Sequence, residues 1–373
     1  MTPKVTLNDT PEQNQLVRAL ISKDPVVAAQ AREAFAAVIG GVVQEVIQHA
    51  GTAGMIYQDL PYGEDESPSL QLDFLYDQAA GYVTVWQQNM AGGLPVSVVE
   101  GVAEMKFMPY GLNSAVEISN KYIKKSNLPI VSKAIQRMAQ EILIKQERTA
   151  WSVILKALAE GETKVNGTAT KHVIASTNQN QFDVHDINVL FTRMKRIAQS
   201  FANGTPDPNS SRGLTDLFLS YEIMEQVRSF PYNPVNNRGS QSTGPVTLPE
   251  SVRESIFSAA GTASIWGVTL HELAELGVSK KYNELFSAYS ASLGNIAHST
   301  QAFDYADDEI VIGCDLSKEA FWRPVEKSGD NNSTFRAEVS DEYVKRQQKI
   351  GFFGDLTEAR AVTDARALSG IIV

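Results

Sequence analysis

The sequence has few of the features that mark disulfide-bonded, secreted or membrane-spanning proteins. It holds one cysteine in 373 residues, Cys314, which excludes an internal disulfide and a metal site made of several cysteines. No apolar run approaches the roughly 18 to 20 residues that span a bilayer. The polar N-terminus also lacks the basic and then apolar layout of a secretion signal. We therefore expect a protein that is made in the cytoplasm and has no membrane span.

Motifs for common catalytic and phosphate-binding sites are missing as well. The sequence has no Gly-rich loop followed by Lys and Ser or Thr, no GxGxxG after a strand, and no Gly-X-Ser-X-Gly elbow. The best imitation of a metal motif is His271-Glu272-Leu-Ala-Glu275. A zinc peptidase helix needs histidines at positions i and i+4, but the second position here is Glu275. We expect no catalytic residue, no cofactor and no metal, and keep a metal-dependent hydrolase that uses these three side chains as an alternative.

The remaining acidic and histidine-bearing segments give no better candidate. Asp304, Asp307, Asp308 and Glu309 lie close together, but the segment lacks the glycine and glutamate frame of an EF-hand loop. We interpret it as a solvated turn. The other histidines have no acids at ligand or triad spacing, so we interpret them as surface or core residues.

The net charge of −10 results from 33 Lys and Arg against 43 Asp and Glu. Proteins whose main task is to grip nucleic acid neutralise its phosphates with basic side chains. The charge therefore argues against such a protein, although it is compatible with a container that holds nucleic acid inside.

Basic residues are absent from one continuous part of the chain. No Lys or Arg occurs from Glu33 to Met105, where ten acidic residues lie, whereas residues 106–160 carry nine basic and four acidic residues. Separated like charges repel unless opposite faces meet, so we expect the acidic segment to lie across the basic segment of a neighbouring subunit. Chance segregation with solvated faces remains the alternative. The proposed subunit interface consists of Glu64, Asp65, Glu66, Asp73, Asp77, Tyr82, Trp86, Lys121, Lys124, Lys125, Lys133 and Arg137.

The spacing of apolar residues predicts helices and strands in a definite order. The first 50 residues are predicted to be helical, and the alternation at 70–74 and 82–86 predicts a long hairpin. A strand-like segment at 96–107 continues into 115–119. The longest element is a helix over Pro129–Ala159, which Gly161 ends. At 1.5 Å per residue it forms a rod of about 46 Å.

The second half of the chain is predicted to be mixed α and β. Asp186 is expected to cap a helix over about 187–201, and Ser220 a helix over Tyr221–Ser229. Residues 231–250 form a loop rich in Pro, Gly, Asn and Ser. Strands are predicted at Leu214–Leu219, Ile265–Leu270, Glu309–Ile312, Tyr343–Arg346, Ile350–Phe353 and in the apolar C-terminus.

This order of elements resembles the Hong Kong 97-type fold of tailed-phage major capsid proteins, over nearly the whole chain. Each motif is weak alone, and the ordered set carries the resemblance. The segments that carry it are Val98-Val-Glu100-Gly101-Val-Ala through Phe107, Val116-Glu-Ile-Ser119, Gln146-Glu147-Arg-Thr-Ala150, Thr215-Asp-Leu-Phe-Leu219, Trp266-Gly267-Val268 and Ile310-Val-Ile-Gly313.

The resemblance implies an α+β fold with five regions. These are an N-terminal arm (1–57), an extended β-hairpin loop (58–105), a peripheral domain with a long spine helix (106–165), an axial domain (166–340) and return strands that complete the peripheral domain (341–373). The arm and the extended loop would reach neighbouring subunits. The loop at 231–250 would face the centre of each capsomer.

The resemblance also implies a function and partners. The chain would be a major capsid protein that assembles as pentamers and hexamers into an icosahedral shell around double-stranded DNA, without sequence-specific binding. Separate scaffolding, portal and decoration proteins would be partners, and the virion would be assembled in the host cytoplasm. The alternatives are an encapsulin-type protein nanocompartment shell, which shares the fold, and a tail or decoration component.

One departure from the family has a chemical consequence. Some relatives cross-link covalently through a lysine on the extended loop, but residues 58–105 hold no lysine. We expect no such cross-link, and a ladder that survives boiling on a denaturing gel would contradict this expectation.

Overall fold

A computed structural model describes most of the second half of the chain and parts of the first. The described ranges are 51–63, 66–72, 103–119, 128–165, 168–199, 213–230, 264–294, 302–317, 320–327, 335–340 and 349–373. Within the first 36 residues it describes a helical run at 26–34 and a few single positions, where a helix was predicted. The predicted strands at 82–86 and 343–346 and the loop at 231–250 lie outside the described residues.

The described elements alternate between helices and short strands. The helices are α1 (Ala53–Ile56), α2 (Leu128–Glu160), α3 (Val184–Gln199), α4 (Tyr221–Ser229) and α5 (Lys281–Tyr289). The strands are β1 (Gln58–Tyr62), β2 (Ser69–Leu72), β3 (Ala103–Lys106), β4 (Tyr110–Ser119), β5 (Glu162–Val165), β6 (Thr168–Lys171), β7 (Val173–Ala175), β8 (Asp216–Leu219), β9 (Ser264–Ile265), β10 (Val268–Glu272), β11 (Ile310–Cys314), β12 (Phe321–Glu326), β13 (Arg336–Ser340), β14 (Lys349–Glu358), β15 (Ala361–Val362) and β16 (Leu368–Ile372). The mixed α+β class predicted from the sequence is therefore confirmed.

The chain forms two compact units, and each collects separate stretches of sequence. The first unit consists of Met1–Pro68, Lys106–Ala150 and Trp322–Ala361. The second consists of Ser69–Met105, Trp151–Phe321 and Val362–Val373. Because both units draw on the middle and the end of the chain, neither is a single continuous segment.

The sheet of the first unit is organised around β14. This strand pairs antiparallel with β4 over its full length, from Lys349 opposite Ser119 to Glu358 opposite Tyr110. Its other side pairs with β13 and, at Glu358, with Val325 of β12. β1 runs parallel to β12 on the far side. The predicted strands at 115–119 and 350–353 are thus confirmed as parts of two longer strands.

The spine helix α2 runs close to its predicted bounds and ends at a required glycine. Its 33 residues correspond to a rod of about 50 Å. A Cβ at Gly161 would lie 2.7 Å from Nδ1 of His172 and 2.9 Å from the carbonyl oxygen of Ala157. Only glycine leaves room for the chain to turn from α2 directly into β5.

The second unit has a six-stranded sheet between two layers of helix. The strand order is β7-β16-β11-β8-β10-β9. Successive side chains of a strand point to opposite faces. Leu217 and Leu219 of β8 therefore pack with apolar residues of α3 and α4 on one face. On the other face, the ring centroid of Phe218 lies 4.9 Å from that of Trp151, in the last part of α2, and Trp151 lies 5.8 Å from Tyr282 of α5.

Two predictions in this unit were wrong in detail. The segment Ile265–Leu270 was predicted as one strand, but it is the hairpin of β9 and β10, which turns at Trp266 and Gly267 with φ angles of 52° and 80°. Helix α3 begins at Val184, so Asp186 lies in its first turn and does not precede it. The Asp186 carboxylate accepts a bond from the backbone N–H of Asp183 at 3.0 Å, the reach-back half of a capping box.

Residues 349–373 contribute strands to the six-stranded sheets of both units. Residues 341–373 were expected to be return strands that complete the peripheral domain. β14 does join β4 in the first unit, but β16 pairs with β11 and β7 in the second. Nearer the start, β2 pairs with β3 in a separate two-stranded ribbon. Residues 96–102 of the strand predicted over 96–107 lie outside the described residues. The described part is β3, and the chain leaves the strand at residues 107–109 before β4 begins.

Candidate functional site

The residues proposed as a subunit interface lie mostly outside the described part of the chain. Among them, Glu66 and Arg137 are exposed, and Lys133 lies within α2. The Glu66 carboxylate accepts a hydrogen bond from the backbone N–H of Gly63 at 3.2 Å. The residues outside the description are Glu64, Asp65, Asp73, Asp77, Tyr82, Trp86, Lys121, Lys124 and Lys125. The acidic and basic sets are not brought together in the described residues, and the interface stays a prediction.

The imitation of a zinc motif does not form a cluster of ligands. His271 and Glu272 are neighbours on β10, so their side chains point to opposite faces of the sheet. Nε2 of His271 lies 2.8 Å from Oδ1 of Asp216, while Glu272 pairs with Arg228 of α4. In the part of the chain that the structure describes, no group of three or more His, Cys, Asp or Glu could hold a metal ion.

In the described part of the first unit, the carboxylate of Glu358, at the end of β14, binds side chains from four different segments. Its side chain is fully buried. Oε1 accepts a hydrogen bond from the Tyr110 hydroxyl at 3.0 Å. Oε2 accepts from Nε of Arg323 at 2.9 Å, Nε2 of Gln146 at 3.0 Å and Nη2 of Arg360 at 3.3 Å. One carboxylate thus joins β4, the spine helix, β12 and the residues after β14.

The partners of Glu358 have further contacts that fix them in place. Arg323 also reaches Asp59 of β1, with Nη1 3.4 Å from Oδ1. The Arg360 guanidinium lies 4.8 Å from the ring centroid of Tyr57, whose hydroxyl donates to the carbonyl of Ala150 at 2.9 Å. Burial, followed by the charge of Glu358, raises the pKa of Tyr110 above its ordinary value, so that its hydroxyl stays a donor.

Glu147, which follows Gln146 on the spine helix, binds the start of α1 with its carboxylate. The backbone N–H of Ala53 donates to Glu147 at 3.0 Å, and the hydroxyl of Thr52 donates to it at 2.9 Å. Gln146, Glu147 and the carbonyl of Ala150 therefore bind three different parts of the first unit within about one helical turn. The sequence signal that could have revealed them is the presence of polar residues on a helix face that is otherwise apolar.

In the second unit, the predicted cap at Ser220 is confirmed. Its hydroxyl oxygen accepts a bond from the backbone N–H of Ile223 at 3.1 Å, at the start of α4. The same hydroxyl donates to the carboxylate of Glu309. Burial raises the pKa of Glu309, while the bond from Ser220 lowers it. The interpretation of 304–309 as a solvated turn was therefore wrong for Asp308 and Glu309, which are both buried.

His172 is a core residue that lies between β6 and β7. Its side chain is fully buried, and Nε2 lies 2.7 Å from the hydroxyl oxygen of Thr163. Its backbone carbonyl accepts from the hydroxyl of Ser369 at 2.7 Å. Burial is the main cause that lowers the pKa of His172 from 6.5 to about 4. The ring is therefore neutral at physiological pH and supports packing.

Among the described residues, no helix has the length and apolar character needed to cross a membrane. The buried polar groups just described bind one another or the backbone, and their contacts link strands and helices within one unit. This arrangement can hold distant segments together.

No family model and no curated protein sequence matches the chain. Solved structures are similar to it in fold. A structure of Microbacterium phage Oxtober96 is 12% identical, with 87% of this chain and 90% of that chain covered, at a TM-score of 0.47. The mature capsid of bacteriophage PhiM1 is 8% identical, with 87% of each chain covered, at a TM-score of 0.49.

An encapsulin is also among the similar structures. The holo-SrpI encapsulin complex from Synechococcus elongatus PCC 7942 is 10% identical, with 72% of this chain and 75% of that chain covered, at a TM-score of 0.39. At these identities the likeness concerns the fold.

Proposed function

We propose that this chain is a shell subunit, the major capsid protein of a tailed phage with a Hong Kong 97-type fold. The observation that carries the proposal is the order in which the chain builds its units. A ribbon of β2 and β3 leads into β4, then the 33-residue spine helix, then the three-layered second unit, and finally β14 returns along the whole of β4. This is the order of elements from which the capsid resemblance was predicted.

The use of buried polar residues supports a structural role over a catalytic one. Glu358, Glu147 and Glu309 each bind backbone or side-chain groups that belong to other elements of their unit. A general acid or base must reach a substrate. Glu358 and Glu309 are buried, and Glu147 is bound to the start of α1. We infer a subunit without an active site.

In this proposal the regions keep the roles that the resemblance implies. The arm (1–57) and extended loop (58–105) reach neighbouring subunits, and the axial region (166–340) surrounds the capsomer centre. Pentamers and hexamers tile an icosahedral shell around double-stranded DNA. The shell is assembled in the host cytoplasm with separate scaffolding, portal and decoration proteins and becomes part of the virion.

The experiment is expression of the full chain in a bacterium, followed by sedimentation and negative-stain microscopy. Closed shells, or rings of five and six subunits, are the expected result. A chain that stays monomeric at high concentration, with or without a co-expressed scaffolding protein, contradicts the proposal. Particles purified from their natural source separate the two shell types, because a phage head contains double-stranded DNA and an encapsulin contains a protein cargo.

A further inference from the structure

β4 is the outer strand of the first unit's sheet in the described part of the chain. Its ten residues pair with β14, and no described strand lies against its other side. A strand in this position presents a row of backbone N–H and C=O groups that another extended chain can bind. Residues 111–117 form the middle of this edge.

The usual devices that protect a sheet edge are absent from β4. Natural edge strands are kept short or carry proline, lysine or a bulge. β4 is long against a mean of about 5 to 6 residues, and it contains no Pro and no Lys. Its one-to-one register with β14 shows no bulge. The one charged residue is Glu117, which pairs with Nζ of Lys349 at 2.8 Å.

We propose that β4 of a second copy of this chain pairs antiparallel with β4 across a two-fold axis. An isologous contact places residue i against residue j and j against i. With Ser114 on the axis, Leu112 meets the partner's Val116 and Gly111 meets the partner's Glu117. Apolar side chains then meet on the half-buried face, and no like charges are opposed. The proposal rests on the proposed function, because a closed icosahedral shell contains two-fold contacts between its subunits.

The predicted contact buries little surface, so it should be tested in assembled particles and not in free subunits. Pairing of one strand with another buries much less than the roughly 1,200 Å² of a stable protein interface. We therefore expect the β4 contact to form within assembled particles, where other contacts hold the two copies together. A free subunit in dilute solution should remain unpaired at this edge.

A cysteine scan along β4 tests the pairing. Asn113→Cys, Ser114→Cys and Ala115→Cys sample the centre, while Gly111→Cys and Glu117→Cys sample positions away from the axis. The native Cys314 stays in place, since it is fully buried and burial raises its pKa. Thr192→Cys, exposed on α3, is the matched control for random collision. Each variant is first checked for particles by microscopy, then oxidised and run on a non-reducing gel.

A two-fold pair predicts that the yield of disulfide-linked dimer peaks at one position of β4. Only the residue on the axis lies opposite the same residue of the other copy. Its Cα atoms lie about 4.5 to 5.5 Å apart, within the range of about 4.4 to 6.8 Å that a disulfide needs. We expect one central position to give roughly tenfold more dimer than Gly111→Cys, Glu117→Cys or Thr192→Cys, because disulfide geometry fails beyond about 7 Å.

The outcomes separate this inference from the proposed function. Equal, low cross-linking at every β4 position in well-formed shells overturns the β4 contact and leaves the shell function standing. If no variant and no wild-type protein forms particles, the shell function fails. The β4 contact, which rests on that function, then fails with it.

Discussion

Within each of the two units, buried polar residues bind groups that belong to segments distant along the chain. The apolar spacing of α2 predicted a helix over Pro129–Ala159, and the structure agrees within a residue at each end. The same reasoning assigns polar side chains to the solvent-facing side. Gln146, which is 3% exposed, and Glu358, which is fully buried, break this rule because each has its partners in segments far along the chain. Such partners cannot be recognised without the fold.

Replacement of Glu358 tests whether this carboxylate holds the first unit together. Glu358→Ala removes the carboxylate that the buried Arg360 binds and leaves Arg323 with the more exposed Asp59, so we expect the free energy of unfolding to fall by about 3 to 5 kcal/mol. The measurement is urea unfolding followed by circular dichroism. Glu117→Ala is the matched control, since its pair with Lys349 lies on the same sheet but is exposed. That variant should lose less than about 1 kcal/mol, and similar losses in both variants would contradict the prediction.

The neutral, buried His172 predicts a loss of stability in acid. Its folded-state pKa of about 4 lies below its ordinary value of 6.5. As the pH falls between these two values, the unfolded chain binds a proton that the folded chain does not, and the folded state is disfavoured. Since one pKa unit corresponds to about 1.4 kcal/mol, the loss from pH 7 to pH 4 is about 3 kcal/mol.

The check on His172 is the free energy of unfolding as a function of pH. His172→Gln should flatten the curve between pH 6.5 and pH 4, because the group that titrates is gone. His185→Gln, which replaces a half-buried histidine at the start of α3, is the control and should leave the curve's shape nearer to that of the wild type. An unchanged slope in His172→Gln would rule out His172 as the cause.

At the scale of elements, local signals predicted the type of an element better than its ends or its partners. Ser220 and the helix after it were predicted correctly because a hydroxyl cap needs only its next three residues. The hairpin of β9 and β10 was missed because its turn starts with Trp266, a bulky residue in a left-handed conformation that turns normally reserve for Asn, Asp or Gly. β2 was correctly predicted as a strand, but its described partner is β3, about thirty residues further along the chain.

Gly267 and Gly54 allow the effect of backbone conformation on stability to be measured without a steric clash. A Cβ at Gly267 or at Gly54 would meet nothing within 4 Å, but Gly267 has a φ of +80° and Gly54 lies in the helix α1. Gly267→Ala should destabilise the protein by about 1 kcal/mol, since an L-residue is strained in the left-handed region. Gly54→Ala should be neutral or stabilise by up to about 1 kcal/mol.

Thermal or urea unfolding of the two glycine variants supplies the comparison. The expected result is a lower midpoint for Gly267→Ala and an equal or higher midpoint for Gly54→Ala. If both midpoints move in the same direction by the same amount, backbone conformation is not what requires glycine in the β9–β10 turn.

At the scale of the whole molecule, the sequence predicted the order of elements but not how they are shared between sheets. Order follows from local patterns read one after another. Sheet membership depends on pairings such as β14 with β4, where Lys349 lies opposite Ser119, and β16 with β7, where Gly370 lies opposite Val173. Both pairings join strands that are far apart along the chain. No local pattern distinguishes these pairings from others of equal hydrophobicity.

The separation of charge along the chain predicts how subunits respond to salt. The double variant Lys124→Glu, Lys125→Glu reverses the basic segment that is predicted to meet the acidic arm and loop of a neighbour. We expect fewer particles at low salt and a changed dependence of assembly on ionic strength, because such contacts are screened over about 10 Å at 0.1 M. Light scattering during assembly measures both quantities. Arg196→Glu, an exposed change on α3, is the control, and unchanged assembly and salt dependence in the double variant would show that this contact is not used.

The two central strands near the end of the chain also have a consequence for synthesis on the ribosome. β14 holds β4 in the first sheet, and β16 lies between β7 and β11 in the second. Both come from residues 349–373, so neither sheet can close until these residues have left the ribosome. Domains with a continuous sequence fold one after another as they emerge. Here a product that stops before β14 lacks β14 of the first sheet and β16 of the second, so we expect that it cannot complete either sheet.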